Sequence, residues 1–168
     1  AGIDTVSYAS ATAGVTVNLV TTTAQNTVGA GIDTLSNFEN IIGSAFNDTL
    51  IGTASNNIIN GGVGTDTVSY ASATAGVTVN LNTITAQNTV GAGTDTLTNI
   101  ENIIGSVLND TLTGNAGNNS IVGGDGNDTI NGGAGNDTMS GGIGDDSYFV
   151  DSVTDVIIES PNSGTDTV

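Results

Sequence analysis

Aspartate recurs at a fixed spacing inside glycine-rich segments of this chain. Three nine-residue segments follow one another without a gap, at residues 123–131, 132–140 and 141–149, and each begins Gly-Gly-x-Gly-x-Asp. The glycines allow the backbone to turn with its carbonyl groups pointing inward, and the aspartate adds a carboxylate. A polar, an apolar and a variable residue complete each segment. This pattern predicts a cation-binding turn joined to a short strand and repeated along the chain.

The available ligands indicate which cation such turns prefer. The chain contains no cysteine and no histidine, so it offers no thiolate or imidazole for zinc or copper. Carboxylates, asparagine amides and backbone carbonyls remain. Hard oxygen ligands in a flexible glycine turn suit Ca²⁺, which takes about six to eight of them, whereas Mg²⁺ demands tighter octahedral geometry and is the second choice.

The charge of the chain makes cations its expected partners. It carries 17 acidic residues and no Lys, Arg or His, for a formal net charge of −17, so no salt bridge can form between its side chains. A net charge of this size works against compaction. The lack of basic residues argues against binding to nucleic acid or to an anionic membrane surface. No apolar run approaches the roughly 20 residues of a membrane-spanning helix, so no membrane insertion is expected.

An acidic, glycine-rich chain can also be a disordered linker. We expect such disorder only in the metal-free state. The mean hydropathy is slightly positive at +0.10, proline occurs once, and Val, Ile and Leu recur at a fixed phase. Such a phase is not typical of acidic disordered tails. The composition therefore favours a chain that folds once cations are bound.

The nine-residue unit, here called the nonapeptide, occurs in two runs. Its starting glycines are Gly43, Gly52 and Gly61 in the first run, and Gly105, Gly114, Gly123, Gly132 and Gly141 in the second. The sixth position always carries a side-chain oxygen, in Asp48, Asn57, Asp66, Asp110, Asn119, Asp128, Asp137 and Asp146. The eighth position is always apolar or aromatic, in Leu50, Ile59, Val68, Leu112, Ile121, Ile130, Met139 and Tyr148. Asp155 continues the phase one step further without its glycines.

Two nonapeptides make one coil of 18 residues with a strand on each side. Sixth-position residues that are one coil apart then stack along one edge. Adjacent strands lie about 4.8 Å apart, and two bare carboxylates at that distance repel by about 1 kcal/mol in water and by several-fold more near a protein surface. A cation between them reverses the sign of the interaction. The stacks predicted on the two edges are Asp110, Asp128 and Asp146, and Asn119, Asp137 and Asp155.

A longer period of 62 residues divides the chain. Residues 1–62 align with residues 63–124 without an insertion, and we interpret them as two long repeats. Residues 105–149 form the well-formed nonapeptide run. Residues 150–168 are either a C-terminal cap or the start of a further repeat, because their last five residues match residues 64–68. The chain is expected to be a segment of a longer array.

Several segments predict short strands. Apolar and polar residues alternate in residues 15–19 and in their copy 77–81, which is typical of half-buried strands. Residues 40–42 and 102–104 predict strands that lead into the nonapeptide runs. No window shows helical periodicity, and β-branched residues and glycine dominate, so we expect an all-β fold. Because 62 is not a multiple of 18, wider or bulged coils must occur.

Residues 105–149 resemble the repeats-in-toxin (RTX) family of haemolysin-type calcium-binding repeats, which follow Gly-Gly-x-Gly-x-Asp-x-apolar-x. The match is full over residues 123–140, nearly full over 141–149, weaker over 105–122 and weaker still over 43–60. The resemblance implies a right-handed parallel β-roll, a form of β-solenoid, with several calcium ions between turns on the same edge.

By this resemblance, positions two, four and six of one nonapeptide share an ion with positions one, three and five of the unit one coil further on. Asp and Asn would use their side chains, and the other residues their carbonyl oxygens. On the first edge, one implied site combines Gly124, Gly126 and Asp128 with Gly141, Ile143 and Asp145. Another combines Asp110 with Gly123, Asp125 and Asn127, and Asp146 is an implied ligand in the following turn. The strongest site is predicted between Asp128 and Asp145.

The second edge and the first run complete the implied ligand set. On the second edge, one implied site combines Gly117 and Asn119 with Gly132, Ala134 and Asn136. The next uses Gly133, Gly135 and Asp137, which face the segment of Asp155. In the first run the implied ligands are Asp48, Gly61 and Asp66.

Other acidic residues lie outside this scheme. Four aspartates follow a glycine by two residues, namely Asp4, Asp33, Asp95 and Asp166. Asp33 and Asp95 are either isolated calcium turns or turn aspartates that hydrogen-bond their own backbone. For Asp4 and Asp166, plain turns are favoured. Glu39 and Glu101 are interpreted as structural ligands or solvated groups rather than as a catalytic pair. Tyr8 and Tyr70 are interpreted as core or strand residues, and Tyr148 with Phe149 as a cap of the roll.

These features predict a calcium-binding structural module that is largely disordered without calcium, so that binding energy becomes folding energy. The family resemblance implies type I secretion from a bacterium with folding on exit, and hence a secreted, extracellular or cell-surface location. Neighbouring repeats or domains of a longer chain are possible partners. Two alternatives remain open, a glycan- or surface-binding adhesin repeat and an accessory module of a polysaccharide-modifying enzyme. No catalytic site is predicted, because His, Lys, Arg and Cys are missing.

Overall fold

Short strands alternate with turns throughout the computed structural model of the chain, which describes residues 2–161 and 163–168. Within these residues no helix is long and apolar enough to cross a membrane. The strands are β1 (Thr5–Ser7), β2 (Thr16–Asn18), β3 (Gln25–Asn26), β4 (Ile32–Asp33), β5 (Asn40–Ile42), β6 (Thr49–Ile51), β7 (Ile58–Asn60), β8 (Thr67–Ser69), β9 (Thr78–Asn80), β10 (Gln87–Val90), β11 (Gly93–Thr98), β12 (Asn102–Ile104), β13 (Thr111–Thr113), β14 (Ser120–Asp125), β15 (Thr129–Asn131), β16 (Thr138–Ile143), β17 (Ser147–Phe149) and β18 (Val156–Ile157).

Each nonapeptide supplies one strand that includes its seventh, eighth and ninth residues, and β14 and β16 continue into the first three residues of the next unit. β13, β15 and β17 show this arrangement, with the eighth residue buried and its neighbours more exposed. Threonine or serine usually opens the strand, and successive side chains point to opposite faces of it. The prediction of one turn and one short strand per unit is confirmed.

The strands assemble into two sides around one core. One side is a seven-stranded sheet in the order β2-β6-β8-β12-β14-β16-β18, in which all pairings are parallel. The other side consists of a sheet in the order β1-β5-β7-β11-β10 and a parallel sheet in the order β9-β13-β15-β17. An isolated bridge between Val77 and Val90 joins these two sheets. The chain is therefore an all-β parallel β-roll.

Apolar residues in register form continuous stacks inside the roll. On the seven-stranded side Ile121 pairs with Met139 and on the other side Leu112 pairs with Ile130, which pairs with Tyr148. All five side chains are buried. Full burial of one such aliphatic side chain contributes about 1.5–3 kcal/mol, so stacking of successive coils is the main apolar stabilisation of the fold.

The long repeat inserts wider coils between the nonapeptide runs. Residues that face each other on adjacent coils are 18 positions apart within the runs, but 33, 35 or 38 positions apart where the long repeat adds residues. The extra residues form antiparallel hairpins, β3 with β4 in the first long repeat and β10 with β11 in the second. The expectation of wider coils is confirmed.

The strands predicted outside the nonapeptides are also present. Residues 15–19 and 77–81 contain β2 and β9, each with a buried central valine. Residues 40–42 and 102–104 coincide with β5 and β12. These four strands pair with nonapeptide strands, so they extend the same roll.

Candidate metal sites

The sixth-position residues form a hydrogen-bonded ladder along each edge of the roll. Oδ1 of Asp128 accepts the backbone N–H of Asp110 at 2.8 Å, and Oδ1 of Asp146 accepts that of Asp128 at 2.8 Å. On the other edge, Oδ1 of Asp137 accepts the N–H of Asn119 at 2.8 Å. The ladder brings together the predicted stacks, and it uses one oxygen of each carboxylate.

A second ladder runs through the fifth positions in the opposite direction. Oδ1 of Asn109 accepts the N–H of Asn127, and Oδ1 of Asn127 accepts the N–H of Asp145, both at 2.9 Å. Asn118 and Asn136 repeat the contact on the other edge. Because each turn is bonded to the turn before and the turn after it, the turns of one edge are held in register.

Four turns have glycine at both the second and the fourth position, and we call them the two-glycine turns. They span residues 61–66, 123–128, 132–137 and 141–146. In each of them both glycines have a positive φ, for example 126° at Gly124 and 109° at Gly126. L-residues with a side chain rarely adopt this conformation, so the glycines are required by the backbone geometry.

The backbones of adjacent two-glycine turns also approach closely. A Cβ on Gly142 would lie 1.9 Å from the carbonyl oxygen of Gly124, and one on Gly144 would lie 2.1 Å from that of Gly126. The carbonyl oxygens of positions two and four therefore point toward the next turn. A Cβ on Gly123 would lie 2.0 Å from Oδ2 of Asp128, so the carboxylate folds over the first glycine of its own turn.

The aspartates of the two-glycine turns each have a buried oxygen without a hydrogen-bonding partner. Among the residues that the structure describes, this is true of Oδ2 of Asp66, Asp128, Asp137 and Asp146. Each of these residues is at most 1% exposed. Leaving a buried charged acceptor unpaired costs more than the about 1–3 kcal/mol of a neutral group, so these four oxygens are the least satisfied polar atoms of the turns.

Burial has a corresponding effect on the proton affinity of these carboxylates. Loss of hydration raises the pKa of Asp128 to about 7 and that of Asp66 to about 6. The same cause raises the pKa of Asp137 and of Asp146 above the ordinary value. The charges of neighbouring acidic residues, such as Asp110 and Asp146 beside Asp128, raise the pKa further.

Two turns with serine at the second position close differently, and we call residues 43–48 and 105–110 the serine turns. The backbone N–H of Ser106 donates to Oδ2 of Asp110 at 2.6 Å, and its hydroxyl donates to Oδ1 at 2.8 Å. Ser44 makes the same two bonds to Asp48, at 2.5 and 2.7 Å. Both oxygens of each carboxylate therefore have donors within the protein.

Two further turns carry asparagine at the sixth position, and we call residues 52–57 and 114–119 the amide turns. Oδ1 of Asn119 accepts the N–H of Asn115 at 2.8 Å, and its Nδ2 donates to the carbonyl of Glu101 at 2.6 Å. Asn57 does the same with Thr53 and with Glu39. Both polar atoms of each amide therefore have hydrogen-bonding partners within the protein.

The acidic residues outside the nonapeptides are mostly bound by the protein itself. Oδ1 of Asp95 accepts the N–H of Asn57 at 2.9 Å, and its Oδ2 accepts the hydroxyl of Tyr70 at 3.1 Å. Burial raises the pKa of Asp95 to about 6. Oε2 of Glu101 accepts the N–H of Asp66 at 2.8 Å, in the place that a sixth-position aspartate takes elsewhere. Tyr70 is buried, which confirms its interpretation as a core residue.

Asp155 ends the ladder on the second edge. Its Oδ1 accepts the N–H of Asp137 at 3.1 Å, and its Oδ2 accepts the N–H groups of Asp151 and Ser152 at 3.2 and 3.1 Å. The bond from Asp137 is the main reason that the pKa of Asp155 is lowered. This carboxylate supports its turn through backbone donors.

The predicted ligands fall into place as adjacent turns. Gly124 pairs with Gly142 and Asp125 with Ile143, so residues 123–128 lie against residues 141–146. On the second edge, a Cβ on Gly133 would lie 2.3 Å from the carbonyl oxygen of Asn115, so the turns at 114–119 and 132–137 are in contact. The structure thereby brings together the two halves of each expected site, and ligation by these residues stays a prediction.

Sequence reasoning missed two kinds of residue. Ser44 and Ser106 were not recognised as partners of the sixth-position aspartate, although a hydroxyl at position two of a turn that lacks the other glycines is a visible signal. Glu159 was also missed, although it lies in a group with Asp146 and Asp166 whose ligand atoms are all within 4.8 Å of one another. No local motif marks that group. Tyr148 does not end the roll, because its N–H donates to the carbonyl of Thr167 at 2.8 Å.

The two-glycine turns fit calcium by their chemistry. Their donors are carboxylate oxygens, asparagine oxygens and backbone carbonyl oxygens, which are the ligands that Ca²⁺ prefers. The unpaired Oδ2 atoms and the carbonyl groups that point toward the next turn lie on the same edges. The sequence contains no histidine or cysteine, so no imidazole or thiolate competes for this role.

A family model described as the RTX calcium-binding nonapeptide repeat matches the chain in four copies, at residues 37–70, 104–139, 113–148 and 122–157. Together the copies cover more than half of the chain and include all the two-glycine and serine turns. No match to a curated protein was found.

Proposed function

The chain belongs to the family of RTX calcium-binding nonapeptide repeats, and we propose that it is a structural module of a secreted bacterial protein that folds when calcium binds. Calcium supplies positive charge and oxygen coordination between the turns of one edge. The protein supplies the register of those turns and the core that their stacking buries.

One observation carries this proposal: among the described residues, the buried Oδ2 atoms of Asp66, Asp128, Asp137 and Asp146 have no hydrogen-bond donor. A chain with a net charge of −17 and no basic residue has no cation of its own to place beside them. The folded state is therefore disfavoured without an external cation. Because the unfolded chain lacks such sites, the free energy of binding adds to the free energy of folding.

The residues proposed to hold the ions are those of the two-glycine turns. For the site at Asp128 these are the carbonyls of Gly124 and Gly126, with the facing residues Gly141, Ile143 and Asp145. We propose this as the strongest site, because Asp128 lies in a two-glycine turn and the turn at 141–146 that faces it is itself a two-glycine turn. The site at Asp137 would use Gly133 and Gly135 in the same way.

In the serine and amide turns, we propose that hydrogen bonds within the protein satisfy the sixth-position side chain and that no ion binds. The oxygens of Asp48 and Asp110 already accept bonds from Ser44 and Ser106, and Asn119 donates to a carbonyl. A ligand role for Asp48, Asp110 and Asn119 was expected, and their hydrogen bonds support a protein-closed turn instead. The ion-binding turns then concentrate at residues 123–146, with one more at residues 61–66.

Calcium-dependent folding suits a protein exported through a type I system. Extracellular calcium modules typically bind with Kd values of about 10⁻⁴–10⁻³ M, so such a chain stays unfolded in a cytosol poor in calcium and folds outside. We propose a secreted or cell-surface location and a scaffold role without catalysis on this basis.

The test is a calcium titration of the chain followed by far-UV circular dichroism at neutral pH. We expect a weak β signal in chelator, a cooperative gain of β signal with calcium, and no comparable gain with equal ionic strength of sodium chloride. A β spectrum and thermal midpoint that are unaffected by chelator would rule the proposal out.

A further inference from the structure

We propose that Glu159 and Asp166 complete the divalent-cation site at Asp146, and that the shared ion fixes the segment of Glu159 and Asp166 onto the last nonapeptide. The inference rests on the proposed function, since it names two further ligands for the ion proposed at Asp146. This site differs from the other nonapeptide sites because two of its carboxylates come from a segment without the nonapeptide pattern. The matches to the repeat family end at residue 157.

The backbone of residues 163–167 continues the roll by one more turn. The N–H of Gly144 donates to the carbonyl of Ser163 at 2.7 Å, and the N–H of Thr165 donates to Oδ1 of Asp145 at 2.8 Å, across a step of 20 residues. A Cβ on Gly164 would lie 1.8 Å from the carbonyl oxygen of Gly144. The same close approach occurs between consecutive two-glycine turns, so this segment stacks as they do.

Three carboxylates meet where this segment covers the turn at 141–146. One ligand atom from each of Asp146, Glu159 and Asp166 lies within 4.8 Å of the others. Oδ1 of Asp166 accepts the N–H of Asp146 at 2.9 Å, which fixes the two residues against each other. Three carboxylates at this separation repel one another strongly, and the chain has no basic residue to offset them.

The inner member of the cluster independently points to a ligand. Asp146 is 1% exposed, and its buried Oδ2 accepts no hydrogen bond from the residues that the structure describes. A buried carboxylate oxygen in this state is stabilised by a donor or by a metal ion.

Glu159 is oriented for such a role by two neutral hydroxyl groups. Its Oε1 accepts the hydroxyl of Tyr148, and its Oε2 accepts the hydroxyl of Ser163 at 2.8 Å. These bonds hold the carboxylate in place without neutralising its charge. With oxygen ligands only, the cation is of the hard divalent class, and calcium fits best.

The variants Glu159→Gln and Asp166→Asn test the site, with Asp4→Asn as the matched control. Asp4 occupies the same Gly-x-Asp-Thr-Val sequence as Asp166, but it lies at the other end of the roll and is exposed. Calcium stoichiometry is measured by isothermal titration calorimetry on the full chain. We expect one fewer ion in each of the two test variants and an unchanged number in the control.

Terbium luminescence gives a second readout that is local to this site in variants that fold. Because the hydroxyl of Tyr148 contacts Glu159, excitation of tyrosine should sensitise Tb³⁺ at this site. We expect the emission to fall in Glu159→Gln and in Tyr148→Phe but not in Tyr8→Phe, with calcium competing for the signal. Circular dichroism at saturating calcium checks that each variant folds.

The possible failures are distinguishable. If the unmodified chain and Asp4→Asn fold with calcium while Glu159→Gln and Asp166→Asn bind just as many ions and keep the emission, only this inference is overturned. If the unmodified chain binds no calcium, the proposed function is overturned together with it.

Discussion

Asp110 and Asp128 occupy the same place on consecutive coils, yet their carboxylates have different partners. Asp110 accepts hydrogen bonds from the backbone N–H and the hydroxyl of Ser106, whereas Oδ2 of Asp128 accepts none from the described part of the chain. The difference arises at position two of each turn. Serine keeps a backbone conformation in which its N–H reaches the carboxylate, and Gly124, with φ of 126°, does not.

The first prediction at this scale compares Asp128→Asn with Asp110→Asn. Asp128→Asn should bind one calcium ion fewer, because the unpaired charge is removed. At calcium about 100-fold above Kd, loss of one site lowers the free energy of unfolding by about 2.7 kcal/mol. Calorimetry gives the ion count, and chemical unfolding in calcium gives the stability.

Asp110→Asn should bind as many ions as the unmodified chain. Its amide N–H would face the N–H of Ser106, so the variant should lose about 1–3 kcal/mol of stability at every calcium concentration at which it folds. If Asp110→Asn instead loses an ion and Asp128→Asn does not, the assignment of partners is wrong.

At the scale of the element, the repeated unit is a turn of six residues followed by a strand of three. The strand was predictable because its apolar residue recurs every nine positions, as in Leu112, Ile121 and Ile130. The turn was predictable where Gly-Gly-x-Gly-x-Asp is complete. The serine turns were missed although their serine is visible in the sequence, because the spacing of glycine and aspartate does not show that the serine bonds the carboxylate.

The prediction at this scale compares two glycines at position four. Gly126 has φ of 109°, and a Cβ there would lie 2.7 Å from backbone atoms of Leu108 and Asn109. Gly126→Ala should therefore cost about 1–3 kcal/mol from backbone strain alone and weaken calcium binding. Thermal unfolding in saturating calcium and the calcium midpoint measure the two effects.

Gly117→Ala is the matched control. Gly117 lies in an amide turn without a positive φ, and the nearest atom to a Cβ there is Oδ1 of Asn115 at 3.2 Å. The change should stay within about 0.5 kcal/mol of the unmodified chain. Equal losses in the two variants would show that the two-glycine turns have no special conformation.

At the scale of the whole molecule, acidic residues are concentrated along the edges and apolar residues in the core. The net charge of −17 is held partly in buried carboxylates, so protons and calcium compete for the same groups. Protonation at Asp66 and Asp128 removes the charge that calcium would otherwise offset. Low pH should therefore stabilise the folded state in part, as calcium does.

This reasoning predicts the pH dependence of the calcium-free chain. The pKa of Asp128 in the fold is about 7 and that of Asp66 is about 6, both above the ordinary value of 3.8. The folded state thus binds these protons more tightly than the unfolded state. Protonation of Asp66 and Asp128 therefore stabilises the folded state fully below about pH 3.8, and this stabilisation is lost as the pH rises through 6 to 7.

We expect the calcium-free chain to gain β signal in circular dichroism as the pH falls from 8 to 5, which stays above its isoelectric point of about 4.1. In saturating calcium the dependence should reverse, because protons then compete with the ion. A calcium-free spectrum that loses β signal on acidification would contradict this prediction.

The arrangement of the coils was only partly predictable. The 62-residue period showed that the coils cannot be uniform, but not that β10 and β11 form a hairpin beside β9. That hairpin depends on long-range bonds, such as those from Asn57 and Tyr70 to Asp95. The group of Asp146, Glu159 and Asp166 likewise depends on the step of 20 residues between Asp146 and Asp166, and neither period in the sequence predicts this step.

The most direct test of the account is a crystal structure of the chain grown in calcium, with anomalous data that locate the ions. We predict calcium at Oδ2 of the four aspartates in the two-glycine turns, Asp66, Asp128, Asp137 and Asp146. We predict no calcium at Asp48 or Asp110, where serine supplies the donors. An anomalous peak on the carboxylate of Asp110, or the lack of one at Asp128, would contradict the account.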